Sequence, residues 1–284
     1  MNIFIIPSWY PDISNPVGGI FIKEQAEALA DLNPQHNFIV SHCENFYLSI
    51  TKPSVLVKTL MKYSDKKHLI NNVKQNLFEY YTPAVSWTEK FGGEIKNILK
   101  AHIQNFTEAA NNLGKIDLLH AHVSYPAGFS AMKIKEQFNV PFIITEHMGP
   151  FPFEQFIQNG TLSDKISKPI QNADEIITVS NYSAAKIKSF DLRKPVVIPN
   201  MINENVFYPP DNKLQTRKIK FLTATTFIER KGIRELMEGI LRSDKAHLNT
   251  GFTIAGTGYM HEYIEQFIAQ NSLADKVILV KGPS

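Results

Sequence analysis

His120 and His122 stand on either side of Ala121 in LLHAHVSYPAG, where an apolar run gives way to a helix-forming segment. Read as a strand end, the run is expected to send the two imidazoles to opposite faces. One of them then faces the carboxyl edge of the sheet, where open α/β folds bind ligands. Glu146 and His147 follow the next apolar run in IITEHMGPF and put a second polar pair on that edge. Either histidine alone fits a structural role, but polar pairs at two adjacent strand ends favour a site. Thiolate metal clusters are not expected with Cys43 as the single cysteine, and HExxH is absent.

Three glycine-bearing turns add to this set. Pro16-Val17-Gly18-Gly19 precedes a helix, and a glycine pair there allows backbone amides to approach a phosphate that the helix dipole favours. A plain turn accounts for the same residues. Further on, Glu229-Arg230-Lys231-Gly232 places two cations at a helix start, which suits a diphosphate, although an exposed charged turn reads identically. Gly256-Thr257-Gly258 then closes a strand and allows close approach of a nucleotide to backbone.

Elements able to position these residues alternate along the chain. Expected strands are Ile3–Ile6, Asn37–Ser41, Leu77–Tyr81, Leu118–Ala121, Phe142–Thr145, Ile176–Val179 and Val196–Ile198. Helices are expected at Ile20–Asp31, Thr88–Asn112, Ala127–Phe138, Leu162–Asn172 and Ser183–Phe190, the last capped by the Ser180 hydroxyl. Short apolar runs separated by amphipathic segments indicate a parallel sheet with crossover helices. After the joint PVVIPNMINENVFYPP the alternation restarts. Strands are expected at Ile219–Ala224, Phe252–Ala255 and Val277–Val280, with helices at Gly232–Leu241 and Met260–Asn271. That second set is about half of a doubly wound domain and is expected to leave a sheet face or edge uncovered.

The chain has 284 residues, 43% hydrophobic and 20% charged, enough for one large or two modest domains. A net charge of +3 calls for no nucleic-acid partner. The opening MNIFIIPSWYP lacks the charged start of a secretory signal, and no run approaches the roughly 18 apolar residues of a membrane span. A cytoplasmic location is the expectation, with any membrane contact peripheral. Val55–Lys67 is basic and amphipathic, which fits a solvated surface helix or a helix docking on an anionic membrane or lipid-linked acceptor.

In this order, the motifs resemble the retaining GT-B glycosyltransferases of the family 4 type. The marks that carry it are the Gly18-Gly19 loop, His122, Thr145-Glu146-His147, the Ile198-Pro199-Asn200 joint with Phe207 and Pro209, Lys231-Gly232, and Gly256-x-Gly258. The resemblance implies an α/β chain of two Rossmann-like domains. Residues 1–198 would form the acceptor domain, 199–218 the joint, and 219–284 the first part of the nucleotide-sugar domain. It also implies transfer of a sugar, with retention, from a nucleotide diphosphate sugar to a glycan or lipid-linked acceptor in polysaccharide or glycolipid synthesis, with neither metal nor cofactor. Gly18, Gly19, Arg230, Lys231, Gly256 and Gly258 would hold the donor. His122 would touch the transferred sugar near its reacting carbon, and Glu146, His147 and Asn200 would contact acceptor or sugar.

This chain departs from the family pattern at Met201 and Asn203 in the joint and at Thr226, where an arginine is usual. The family's second domain continues past the point reached at Ser284, so the chain alone is expected to be inactive. Two other readings are a nucleotide-sugar 2-epimerase of the same architecture and a non-catalytic acceptor-binding fragment.

Overall fold

A computed structural model describes residues 1–12, 15–48, 53–86, 94–209 and 218–282. The chain divides into two compact units, Met1–Ile202 and Asn203–Ser284. In the first, the elements run β1 (Asn2–Pro7), α1 (Ile20–Leu32), β2 (Asn37–His42), β3 (Asn45–Tyr47), α2 (Pro53–Ser64), β4 (Leu69–Lys74), β5 (Leu77–Tyr81), β6 (Ala84–Ser86) and α3 (Glu94–Leu113). They continue with β7 (Leu118–His122), α4 (Phe129–Phe138), β8 (Phe142–Glu146), a short hairpin of β9 (Ile157–Gln158) and β10 (Thr161–Leu162), α5 (Asp164–Asn172), β11 (Glu175–Thr178), α6 (Asn181–Lys188) and β12 (Val196–Val197).

Eight strands form one sheet in the order β12-β11-β8-β7-β1-β2-β5-β4. All neighbours are parallel except β4, which runs antiparallel to β5 at the edge. Alternate residues of β1 feed opposite layers, as period-two geometry requires. Phe4 and Ile6 join a core with Phe106, Ala109 and Leu119, while Ile5 joins Ile22, Ala26 and Ala30 of α1. A strand buried on both faces is apolar at every position, which is why FII reads as a continuous run. Strand order reverses between β7 and β1, so their carboxyl ends flank a switch point of the kind at which open sheets bind ligands.

The expected strands and helices are present with shifted ends. Of the helix expected at Thr88–Asn112, residues 88–93 lie outside the described residues, and α3 covers the remainder. The expected start at Ala127 falls in an irregular turn, Ser124–Gly128, ahead of α4. Ser180 caps α6 as expected, its hydroxyl accepting from the Ser183 amide at 3.2 Å. A buried polar cluster ties α3 to the sheet: Asn105 donates to Ser41 Oγ at 3.0 Å and to the Tyr80 carbonyl at 2.9 Å, and Ser41 also bonds His102 at 2.8 Å.

The second unit holds β13 (Ile219–Ala224), α7 (Ile233–Lys245), β14 (Thr250–Gly256), α8 (His261–Gln270) and β15 (Val277–Lys281). Its three strands are parallel in the order β13-β14-β15. Phe227, Ile233, Met237, Ile240, Ile254, Met260 and Ile264 are buried together. Among the described residues the opposite face is uncovered, with Leu222 at 73% exposure. Among the described residues, no helix is long and apolar enough to cross a membrane.

Candidate functional site

Parallel register brings the polar strand ends together. Pro7 pairs with His122, His122 with Thr145, and Glu146 with Thr178, so the carboxyl ends of β1, β7, β8 and β11 form one edge. His120 and His122 do not point to opposite faces. Residues two apart on a strand share a face, and their rings lie 4.3 Å apart. His147 meets His122 edge to edge, with ring centroids 5.3 Å apart and planes 13° from parallel. Three imidazoles thus sit together as one pile in which His122, at 1% exposure, touches both others. Hydrogen bonds fix it: His122 Nδ1 to His147 Nε2 at 3.1 Å, and His120 Nε2 to Thr145 Oγ1 at 2.8 Å.

Beside the pile is a cavity of about 230 Å³ lined by Phe21, Gln25, His120, Thr145, His147 and Asn200, among others. His147 and His120 front this cavity. Burial holds all three rings neutral: His120 and His147 are each lowered to about 4, and His122 falls well below the ordinary range, its two histidine neighbours adding to the effect. Neutral rings act as hydrogen-bond donors and acceptors rather than as cations. His147 Nδ1 is buried without a partner among the described residues. An orphaned buried N–H is rarer than an orphaned acceptor, which assigns the His147 proton to Nε2 and makes it the donor to His122 Nδ1. His122 then carries its own proton on Nε2.

Glu146 is placed differently from the expectation. Its carboxylate is buried and accepts from the Ser124 amide at 3.0 Å, from the Ser124 hydroxyl, and from the Met148 amide at 2.7 Å. Burial raises its pKa, and these bonds oppose the rise. What it holds is the turn after β7, where Val123 sits at φ 79°, a costly angle for a β-branched residue. Glu146 therefore braces the histidine pile from behind, and a direct sugar contact is not the arrangement present. Glu146→Ala is expected to lower unfolding stability by on the order of 3 kcal/mol, because buried donors lose their acceptor. Urea unfolding with and without the substitution measures it, and an unchanged midpoint would count against the bracing role.

Gly19, at φ 71°, precedes α1 directly, and a Cβ there would lie 2.3 Å from the Trp9 carbonyl oxygen. Gly18 lines a second cavity, of about 440 Å³, together with Trp9, Asp12, Glu44, Tyr47 and Lys62. Its walls offer carboxylates and aromatic faces as well as one lysine, a lining suited to a hydroxyl-rich ligand. Asn200 is exposed at the first cavity's rim.

In the second unit, Arg230 and Lys231 are exposed on the turn before α7, while Arg234 is paired with Glu229 at 2.6 Å. Gly256 and Gly258 approach the chain's own backbone. Cβ atoms there would come within 1.9 Å of the Thr225 carbonyl oxygen and 2.4 Å of that of Phe227. The close approach foreseen for a nucleotide is taken up by the loop after β13. Among the described residues, no group of three or more His, Cys, Asp or Glu side chains is placed to hold a metal ion.

Sequence reasoning missed Phe21 and Gln25. Their spacing of four puts them on one face of α1 immediately after Gly19, and that spacing was the available signal. It also missed Val123 and Ser124, which no local pattern marks.

Residues 67–206 match Glycosyltransferase Family 4. An uncharacterized glycosyltransferase of Methanocaldococcus jannaschii, MJ1178, is 26% identical over 161 residues, 56% of this chain and 42% of that protein. The chain thus spans less than half the length of this relative. Among solved structures, the apo form of the lipopolysaccharide outer core galactosyltransferase WaaB matches with a TM-score of 0.57 at 15% identity, over 100% of this chain and 69% of that one. The catalytic domain of Starch Synthase IV from Arabidopsis thaliana, bound to ADP and acarbose, matches with a TM-score of 0.58 at 12% identity, over 100% and 74%. These likenesses show the GT-B fold.

Proposed function

We propose that this chain, whose residues 67–206 match Glycosyltransferase Family 4, moves a sugar from a nucleotide diphosphate sugar to a hydroxyl of a glycan or lipid-linked acceptor, with retention, in polysaccharide or glycolipid synthesis. The observation that carries this reading is the neutral histidine pile beside a cavity of about 230 Å³ at the carboxyl edge, a volume suited to one sugar ring. His147 and His120 offer the ring hydrogen bonds, and His122 fixes the position of both.

In the transfer, the bond between the anomeric carbon and the diphosphate oxygen breaks, and the acceptor oxygen bonds to that carbon. The acceptor's proton leaves with the diphosphate. Arg230 and Lys231 offset the charge that develops there, the kind of electrostatic stabilisation that dominates such steps. Glu146, next in sequence to His147, has its oxygens engaged by Ser124 and Met148 and is not free to attack the sugar. That supports displacement without a covalent sugar–enzyme intermediate.

Calorimetric titration with UDP and with GDP tests the donor side. Binding of one nucleotide is expected, weakened about tenfold or more by Lys231→Ala through loss of a charge-assisted contact. Absence of heat with both UDP and GDP, and with their sugar conjugates, would overturn the nucleotide reading.

A further inference from the structure

Helix α2 leaves most of its surface to solvent. Leu56, Thr59 and Tyr63 are its half-buried positions and mark the side that meets the unit, where Tyr63 packs edge-on to Phe46 of β3 at 5.7 Å. The other sides carry Val57 at 55% exposure, Leu60 at 43% and Met61 at 64%, an apolar group at helical spacing. Lys58 and Lys62 adjoin it, and Lys67 follows the helix, all exposed. No acidic residue occurs between Pro53 and Ser64. Exposed apolar side chains normally occur singly, so a grouped set beside lysines needs an occupant.

We propose that α2 docks this unit on an anionic lipid bilayer, with Val57, Leu60 and Met61 entering the headgroup boundary and Lys58 and Lys62 meeting the lipid phosphates. Charge complementarity favours this occupant. Long lysine stems lie along apolar surface while their ammonium groups reach the headgroups, the pattern of helices that rest in the plane of an interface. Thr59 and Lys62 also line the cavity of about 440 Å³, whose wall includes Trp9 and Tyr47, both substantially exposed. Amphipathic aromatics suit the same boundary. Docking through α2 therefore sets this cavity at the membrane surface, within reach of an acceptor headgroup. That last step rests on the transfer reading above, whereas the docking itself does not.

Co-sedimentation of the chain with phosphatidylcholine vesicles, with and without about one-third phosphatidylglycerol, tests the docking. Binding to the anionic vesicles is expected to exceed that to the neutral ones by about tenfold or more, since each lysine near such a surface adds severalfold, and to fall as salt rises. Leu60→Asp with Met61→Asp is expected to abolish it while leaving the thermal unfolding and the nucleotide titration as in the parent, because both side chains are exposed. Lys58→Gln with Lys62→Gln is expected to remove the preference for anionic lipid. Equal binding by the aspartate variant, or no anionic preference in the parent, would overturn the proposal. So would a parent that ignores vesicles but self-associates until the aspartates are introduced, an outcome pointing to a protein partner instead. The vesicle results do not depend on nucleotide binding, so the transfer reading and the docking can fail separately.

Discussion

Lowering the pH from about 7.5 to about 5 is expected to remove most of the stability of the first unit, by on the order of 5 kcal/mol. His102, His120, His122 and His147 are responsible. Burial lowers His102 to about 3 and His120 and His147 to about 4, and takes His122 well below the ordinary value of 6.5. The sign follows from linkage. A folded-state value below the unfolded one means that the unfolded chain takes up protons first, so stability is complete above 6.5 and is lost as the pH falls from there towards 4. At 1.36 kcal/mol per pH unit, each ring held near 4 removes about 2 kcal/mol by pH 5. The pile shares its effect among three rings in contact, which keeps the total below a simple sum.

Glu146 works in the opposite direction. Its folded value lies above the unfolded 4.5, so its burial penalty is present at neutral pH and is relieved as acid protonates it. It is one group against four. Urea midpoints across the range measure the net slope, and His102→Gln, neutral throughout, should flatten it. A midpoint independent of pH between 7.5 and 5 would rule out neutral buried histidines, and with them the donor and acceptor roles assigned to the pile.

What the sequence disclosed follows burial. Strands covered on both faces, such as Phe4 to Ile6 in β1, are apolar at every position and were legible as runs. At the edge, β4 (LINNVK) is mostly exposed and carries no such run; it was missed together with its antiparallel direction. Strands β3 and β6 have three residues each and are defined by their mutual pairing, a long-range fact. The basic amphipathic stretch did contain a helix, since periodicity is local. The histidines were found by their place at strand ends but assigned to the wrong faces. Their contact with His147 depends on β7 lying beside β8, which strand order decides. Glu146 was legible as a polar residue at the edge. That its partners are amides of the turn after β7 and of Met148 could not be read, because those bonds arise only when the two strand ends are packed together.

Gly256→Ala should unfold the second unit and leave the first intact. At φ 154° the backbone of Gly256 lies in a region that side-chain-bearing residues rarely adopt, and the added carbon would lie 1.9 Å from the Thr225 carbonyl oxygen and 2.8 Å from the Phe227 ring. Neither can yield easily. Thr225 is fixed by its amide's bond to Ala255 at 3.0 Å, and Phe227 by bonds through Thr257 at 2.8 Å and Met260 at 3.1 Å. Phe227 is fully buried in the core that α7 and α8 close. Strain and overpacking together cost on the order of 4 kcal/mol. The unit has one covered sheet face with which to resist that, so the loss is comparable with its whole stability. Amide hydrogen exchange resolves the two units: protection is expected to vanish in β13, β14 and β15 and to persist in β1, β7 and β8. If protection in the second unit survived and only nucleotide binding were lost, Gly256 would be a glycine kept open for a ligand, and the backbone account would be wrong. The distinction bears on the site as a whole. If Gly256 and Gly258 serve the chain's own packing, the recognition of a diphosphate in this unit falls to Arg230, Lys231 and the amides that begin α7.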